Sequence, residues 1–263
     1  MKIAVLDDYQ KVAPGLADWS SLTGATVTFF SDHLDDPAGL VSRLADFDAV
    51  VVMRERTAFP AALLARLPRL RLLVTPGMRN AVIDLAGASR LGITVSGVDG
   101  GSVATAELAW GLVLCLLRHI PAEDAALRAG GWQSTVGTGL AGKTLGLLVL
   151  SARTRGLVGQ AELALMKPGA YLVNTSRAGI VERGALLAAL RSGHLAGAGL
   201  DVFDEEPLPP GDPLLVTPRT VLTPHLGFVT REVYAGWYCG AVEDIVAFRT
   251  GRPIRVLNEP GHA

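Results

Sequence analysis

Short apolar runs recur along this chain, separated by stretches of helical period, and that alternation restricts the fold more than any other feature. The first run, KIAVL at residues 2–6, ends at Asp7 and Asp8; further strand-like runs follow at Thr26–Phe30, Ala49–Met53, Leu72–Thr75 and Thr94–Val98. Between them the apolar spacing changes from continuous to about 3.6 residues, at Pro37–Ala45, Ala61–Leu67 and Asp84–Leu91. Continuous apolar strands alternating with helices predict a parallel sheet covered on both faces, because each crossover lays a helix on the sheet.

The pattern resumes after an apolar stretch, Leu108–Leu117 (LAWGLVLCLL). At ten residues it falls well short of the ~20 that cross a bilayer and reads as a buried helix. The whole helix is expected from about Ser102, a candidate cap, to His119, with Pro121 marking its end. A glycine-rich connection at 130–142 leads to a predicted strand at Lys143–Leu150. Then come a helix near Gln160–Met166, a strand at Ala170–Thr175, a helix at Glu182–Ser192, strands at Gly197–Val202 and Val221–Thr223, and a last helix from Arg231 to Thr250.

Composition narrows the partners. A 49% hydrophobic, 19% charged chain with a net charge of −1 offers no electrostatic reason to bind nucleic acid or an anionic membrane, so a small molecule is the expected ligand. The two cysteines, Cys115 and Cys239, stand in apolar helical contexts and support neither a disulfide framework nor a metal site. With no export signal legible at the N-terminus, a reducing cytoplasm is the expected compartment.

Polar clusters fall at the carboxyl ends of the later strands, where open α/β sheets place ligands. They are Arg177, Asp201 with Glu206, and His225. Each alone is ordinary: an Arg after a strand usually makes a surface ion pair, and a His in a Thr-Pro-His loop is usually structural. Together they form the set that reduction of a 2-keto acid needs. Arg offers a planar, permanently charged fork for a carboxylate. His exchanges a proton with the carbonyl oxygen near neutrality. A carboxylate beside it fixes the tautomer and stabilises the imidazolium.

The runs MKPGAYLVNTSRAGIVE (166–182), GAGLDVFDEEP (197–207) and LTPHLG (222–227) resemble the signature region of the D-2-hydroxyacid dehydrogenase family, of the phosphoglycerate dehydrogenase-like kind. RERT (54–57), TPGMRNAVIDLAGASRLGITVSG (75–97) and SVATAELAWGLVLCLLR (102–118) resemble its substrate-lobe loops and connecting helix. Ala178 departs from the family's usual Gly after the Arg. The resemblance implies two lobes with parallel sheets: a discontinuous, flavodoxin-like substrate domain at 1–98 and 230–263, and a Rossmann-like nucleotide domain at 99–229. It implies Arg177, Glu206 and His225 as the catalytic set, and a cofactor-facing set of Thr105, Thr175, Ser176, Arg177, Asp201, His225 and Gly227, with Asp201 on the nicotinamide carboxamide. On the substrate side it implies Arg54, the backbone amides near Gly77, Met78 and Arg79, and Arg177; Arg54, Glu55 and Arg56 read from charge alone as a solvated surface run, and the substrate-facing loop that the resemblance places after this strand gives Arg54 or Arg56 an anion-contacting role. The implied cofactor is NAD or NADP, the substrate a 2-keto or 2-hydroxy acid, and the assembly a homodimer joined through the 102–119 helix and the loop after it.

One departure is large. In the family the strand opening with GKTLG runs into a Gly-x-Gly-x-x-Gly turn, a helix facing the pyrophosphate, and a second strand ending in a ribose-binding acid. Here GKTLGLL (142–148) passes at once into VLSARTRG (149–156), and no Gly-x-Gly-x-x-Gly occurs between Gly142 and Thr175. The nucleotide domain therefore reads as truncated by about two βαβ steps, on the order of 50–60 residues, with 143–150 a hybrid strand in a four-strand sheet. Binding of NAD(P)(H) is expected to be weak or absent. The alternative to an impaired oxidoreductase is an inactive deletion variant or pseudoenzyme serving as a dimeric binding module.

Overall fold

A computed structural model describes residues 1–100, 103–144 and 154–259. The chain divides into two compact units, Met1–Gly101 with Thr230–Ala263, and Ser102–Val229.

The first unit is built on five parallel strands: β1 (Lys2–Val5), β2 (Thr26–Phe29), β3 (Ala49–Val51), β4 (Leu72–Pro76) and β5 (Thr94–Val98). Their order is β2-β1-β3-β4-β5, the doubly wound arrangement of a flavodoxin-like sheet. Every residue of β3, β4 and β5 is buried, which explains why these strands read as continuous rather than alternating apolar runs. Helices α1 (Ala13–Leu16), α2 (Pro37–Leu44), α3 (Ala61–Leu64) and α4 (Leu85–Arg90) connect them. The short α1 carries no sequence signal long enough to call. Asp36 caps α2 by accepting from the amides of Ala38 and Gly39, and Asp84 caps α4 by accepting from Gly87. Leu40, Leu44, Phe59, Leu64, Leu73 and Ile93 pack in one core.

The chain returns to this unit as α9 (Arg231–Arg249), capped by the Thr230 hydroxyl and burying Tyr234, Trp237, Tyr238, Ala241 and Ile245. The tail then runs antiparallel along β5: Leu257 donates to the Val95 carbonyl, Gly97 to that of Arg255, and the Asn258 side chain accepts from Val95. This strap covers an edge that would otherwise present unpaired backbone groups.

The second unit holds α5 (Ala104–Leu117), α6 (Ile120–Arg128), α7 (Gln160–Leu165), β6 (Ala170–Asn174), α8 (Arg183–Arg191), β7 (Leu195–Leu200) and β8 (Thr220–Leu222). Among the described residues its sheet has three parallel strands in the order β6-β7-β8. The expected hybrid strand at 143–150 and the Ser102 cap lie outside the described residues, apart from Lys143 and Thr144, which are not in a strand. Leu163, Leu172, Leu186, Leu190, Leu195 and Leu214 form its core. Gly197 and Gly199 let Leu116 and Leu112 of α5 rest directly on β7: a Cβ at Gly199 would sit 3.1 Å from the Leu112 Cβ.

The apolar helix ends close to where Pro121 marks it: α5 stops at Leu117, His119 takes a left-handed turn (φ 53°), and a second helix, α6, begins at Ile120 with Pro121 in its first turn. Proline is tolerated there because first-turn amides need no intrahelical acceptor. One expectation is corrected: α5 is not buried all round. Leu112, Leu116 and Leu117 face the sheet, while Trp110 is 52% and Leu114 42% exposed, and Trp132 beyond α6 is 76% exposed. Leu114 and Trp132, with Ile120, Leu127 and the charged Arg118, Glu123 and Asp124, line an open groove between α5, α6 and the following loop.

Candidate active site

In the second unit the three strands end level: Asn174 is in register with Leu200, and Leu200 with Leu222. The residues that follow, Thr175, Asp201 and Thr223, therefore leave the sheet side by side at its carboxyl edge, and the ladder continues as Asp201 donates to the Asn174 carbonyl and Thr223 to that of Leu200. This is why polar residues scattered through fifty positions of sequence meet.

Arg177 is reached from β6 by a turn that Asn174 holds shut. The Asn174 side chain accepts from the Ser176 amide at 3.1 Å and donates to the Arg177 carbonyl at 2.9 Å, and the Arg177 guanidinium donates to the Ser176 carbonyl at 2.8 Å. Thr175 and Ser176 thus lie in the backbone of the turn. Asn174 was missed by the sequence reading; a buried Asn at a strand end is its only local signal.

Glu206 lies in the loop after β7. One oxygen, Oε1, accepts from the Phe203 amide at 2.8 Å, and Oε2 is 2.6 Å from Nδ1 of His225. Burial alone would push this carboxyl up. The hydrogen bond and charge of His225, the Phe203 amide and the Arg177 charge more than offset it, so Glu206 is held below the usual range and stays ionised beside the imidazole. With Nδ1 committed to Glu206, Nε2 is the nitrogen left for exchange with a substrate, and among the described residues no group hydrogen-bonds to it. Phe228 meets the imidazole edge to face at 5.2 Å.

Asp201 is 0% exposed. Its Oδ1 accepts from the Thr223 hydroxyl (2.6 Å) and the Leu226 amide (2.7 Å), and Oδ2 from the Gly227 amide (2.8 Å). Burial pushes its carboxyl above the ordinary range although all three donors pull it down. Thr105, in the first turn of α5, donates to the Gly227 carbonyl at 2.9 Å. A Cβ at Gly227 would stand 3.2 Å from both Asp201 Oδ2 and the Thr105 side chain, so this position admits little beyond glycine.

The first unit carries its own polar cluster at the carboxyl ends of β3 and β4. Arg54 adopts φ 55°, donates to the Pro76 carbonyl at 3.2 Å, pairs with Glu55 at 3.6 Å and lies over the Trp237 ring. Gly77, at φ 86°, leaves the space it needs: a Cβ there would be 2.2 Å from the Arg54 guanidinium. Asn80, another residue the sequence reading missed, ties the two loops together by donating to the Arg54 carbonyl and to the Thr75 hydroxyl. The expected amide cradle is smaller than the resemblance implies. Gly77 spends its N–H on the Val98 carbonyl, whereas among the described residues the amides of Met78 and Arg79 donate to no protein acceptor. Arg56, the other candidate for an anion contact, donates to the Asp7 carbonyl at 2.8 Å, lies over the Tyr9 ring at 4.3 Å and reaches the Tyr234 hydroxyl.

Among the described residues no group of three or more His, Cys, Asp or Glu side chains is arranged to hold a metal, and no helix is long and apolar enough to cross a membrane.

Two parallel sheets, one doubly wound and one bearing an Arg, a Glu–His pair and a buried Asp at its carboxyl edge, describe a class of two-domain α/β proteins. Residues 147–227 match the family model for the D-isomer specific 2-hydroxyacid dehydrogenase NAD binding domain. A glyoxylate reductase of Aeropyrum pernix is 32% identical over 287 residues, covering 83% of this chain and 85% of that protein, and one of Thermococcus litoralis is 29% identical over 301 residues, covering 89% and 90%. The crystal structure of a phosphoglycerate oxidoreductase from Vibrio cholerae O395 superposes with a TM-score of 0.90 at 34% identity, over 95% of this chain and 99% of that one. The chain belongs to the D-2-hydroxyacid dehydrogenase family. Both reductase alignments are longer than the 263-residue chain itself, so each contains stretches of the relative with nothing opposite them here.

Proposed function

We propose that this chain is built for hydride transfer between a nicotinamide cofactor and a small 2-keto or 2-hydroxy acid, with the grip on the cofactor's diphosphate much reduced. The observation that carries the first half is the 2.6 Å contact between Glu206 and His225 at the carboxyl edge that also bears Arg177. Arg177 orients the substrate carboxylate by charge-assisted hydrogen bonds. His225 delivers the proton from Nε2 to the keto oxygen, and Glu206 stabilises the imidazolium before transfer. When bound, the nicotinamide would supply the hydride. Arg54 and the Met78 and Arg79 amides form a further anion-binding set on the first unit.

The residues fit one end of such a cofactor and not the other. Asp201 and Gly227 form a close polar wall of the kind a nicotinamide amide requires. The described residues of the second unit contain no glycine-rich strand-to-helix turn, the stretch from Gly142 to Thr175 has no Gly-x-Gly-x-x-Gly, and the unmatched stretches in the reductase alignments agree with a loss of that segment. Each backbone donor lost from a diphosphate site costs about 1.5–3 kcal/mol, and each ~1.4 kcal/mol is tenfold in affinity, so affinity falls by several orders of magnitude. Titration of the purified chain with NADH and with NADPH, followed by nicotinamide fluorescence, tests this: dissociation constants far above the micromolar range are expected, and a micromolar one for either refutes the reduced grip. Glyoxylate-dependent NADH oxidation at the highest usable NADH concentration then separates an impaired oxidoreductase from an inactive binding module. No turnover at all would favour the second, which the missing turn supports.

We also infer that a second copy of the chain covers the exposed apolar face of α5 and α6. Leu114, Leu127 and Trp132 line one groove, Trp110 is exposed one turn before Leu114 on α5, and two-fold pairing would bury these large apolar side chains reciprocally.

A further inference from the structure

We propose that Thr223, acting through the buried carboxylate of Asp201, is a positioning residue for His225, and that Thr105 completes the same clamp from α5. His225 holds a left-handed backbone, φ 53°, an uncommon conformation for a residue with a Cβ that local contacts must hold in place. The imposing contacts lie on both sides of it. Two residues before, the Thr223 hydroxyl donates to Asp201 Oδ1; one and two residues after, the Leu226 and Gly227 amides donate to Oδ1 and Oδ2. The Gly227 carbonyl is in turn held by the Thr105 hydroxyl. Between these fixed points the chain has only Pro224, whose φ is set by its ring, and His225 itself.

That geometry brings Nδ1 to 2.6 Å from Glu206, a distance that small rotations of the loop would lengthen. Asp201 is thereby an anchor: it is fully buried, and its carboxylate accepts from three donors of the His225 loop. Thr223 is the one donor of the three that a side-chain change can remove without touching the backbone. The inference rests on the reading of His225 as acid and base only for what the imidazole does; the geometry can be tested on the full chain without cofactor.

The experiment is proton and amide-exchange NMR on the parent chain and on Thr223→Val, Thr223→Ser and Thr105→Val, with Glu206→Gln and His225→Asn assigning the signal. The parent is expected to show a far-downfield imidazole N–H resonance from the His225–Glu206 bond. Thr223→Val should shift or abolish it and speed exchange of the Leu226 and Gly227 amides at least tenfold, while Thr223→Ser, which keeps the hydroxyl, should restore both. Should Thr223→Val not fold, Thr105→Val, which leaves Asp201 its three donors, is expected to speed exchange at Gly227 and broaden the same resonance. A role confined to stability would lower the melting temperature and leave the resonance where it is. That result, a Thr223→Ser variant behaving like Thr223→Val, or no downfield resonance in the parent would each overturn the inference. Failure of the chain to oxidise NADH would instead sink the functional reading and leave these spectra unaffected.

Discussion

Replacing Asp244 by Asn should change the pH dependence of stability in a direction and by an amount that the first unit dictates. Asp244 sits on the buried face of α9 with its side chain 0% exposed, accepts from Arg255 Nε at 2.9 Å through Oδ1, and leaves Oδ2 buried without a hydrogen-bond partner. Burial pushes its carboxyl from 3.8 up to about 6, although the Arg255 hydrogen bond and charge pull the other way. A folded pKa above the unfolded one means that the contribution to stability is complete below pH 3.8 and is lost as pH rises through about 6. A rise of roughly two units at ~1.4 kcal/mol each makes that loss about 3 kcal/mol. Asn does not titrate, and any cost of its unmatched N–H is the same at every pH. The stability of Asp244→Asn minus that of the parent should therefore become more favourable by about 3 kcal/mol between pH 3.5 and pH 7. Urea unfolding by circular dichroism, run in parallel on both proteins across that range, cancels every other titrating group. A difference that does not vary with pH would show that Arg255 already compensates the buried charge, and the reasoning would fail.

Glu206→Gln should cut whatever NADH-dependent reduction the chain shows by about 10- to 100-fold, the value of one charge-assisted hydrogen bond. Because the Glu206 carboxyl is held low, its contribution to stability is present above the ordinary carboxylate range and lost as pH falls through the folded value, so acid unfolding curves of this variant should lose that component. Gly77→Ala should destabilise by about 1–3 kcal/mol in urea, since it combines a left-handed backbone with a Cβ set against Arg54; adding Arg54→Ala should recover the steric part, and strict additivity in that cycle would refute the contact. Trp110→Glu should convert a dimer to a monomer in light scattering, and an unchanged mass would leave the α5 face without its assigned partner.

What depends on neighbours along the chain was legible in the order of the residues. Continuous apolar runs identified β3, β4 and β5 because those strands are buried on both faces, and the residues following β6, β7 and β8 fell on the functional edge because parallel strands all point one way. The motifs around Arg177, Glu206 and His225 were legible because their order in sequence is their order across the sheet. Tertiary structure alone decided which groups spend their hydrogen bonds on the scaffold. Arg56 and Arg54 look alike as a charge run, yet the first is bound to Asp7 and Tyr9 while the second is bound to Pro76 and Glu55 beside Gly77. The three loop donors that Asp201 gathers are invisible in its motif, and Asn174 and Asn80 carry no pattern until their turns close. The outward half of α5 was likewise hidden, since an apolar helix facing a partner and one facing a core have the same composition. Periodicity is a property of a segment, whereas a hydrogen-bond partner or a covered face belongs to whatever the fold brings alongside.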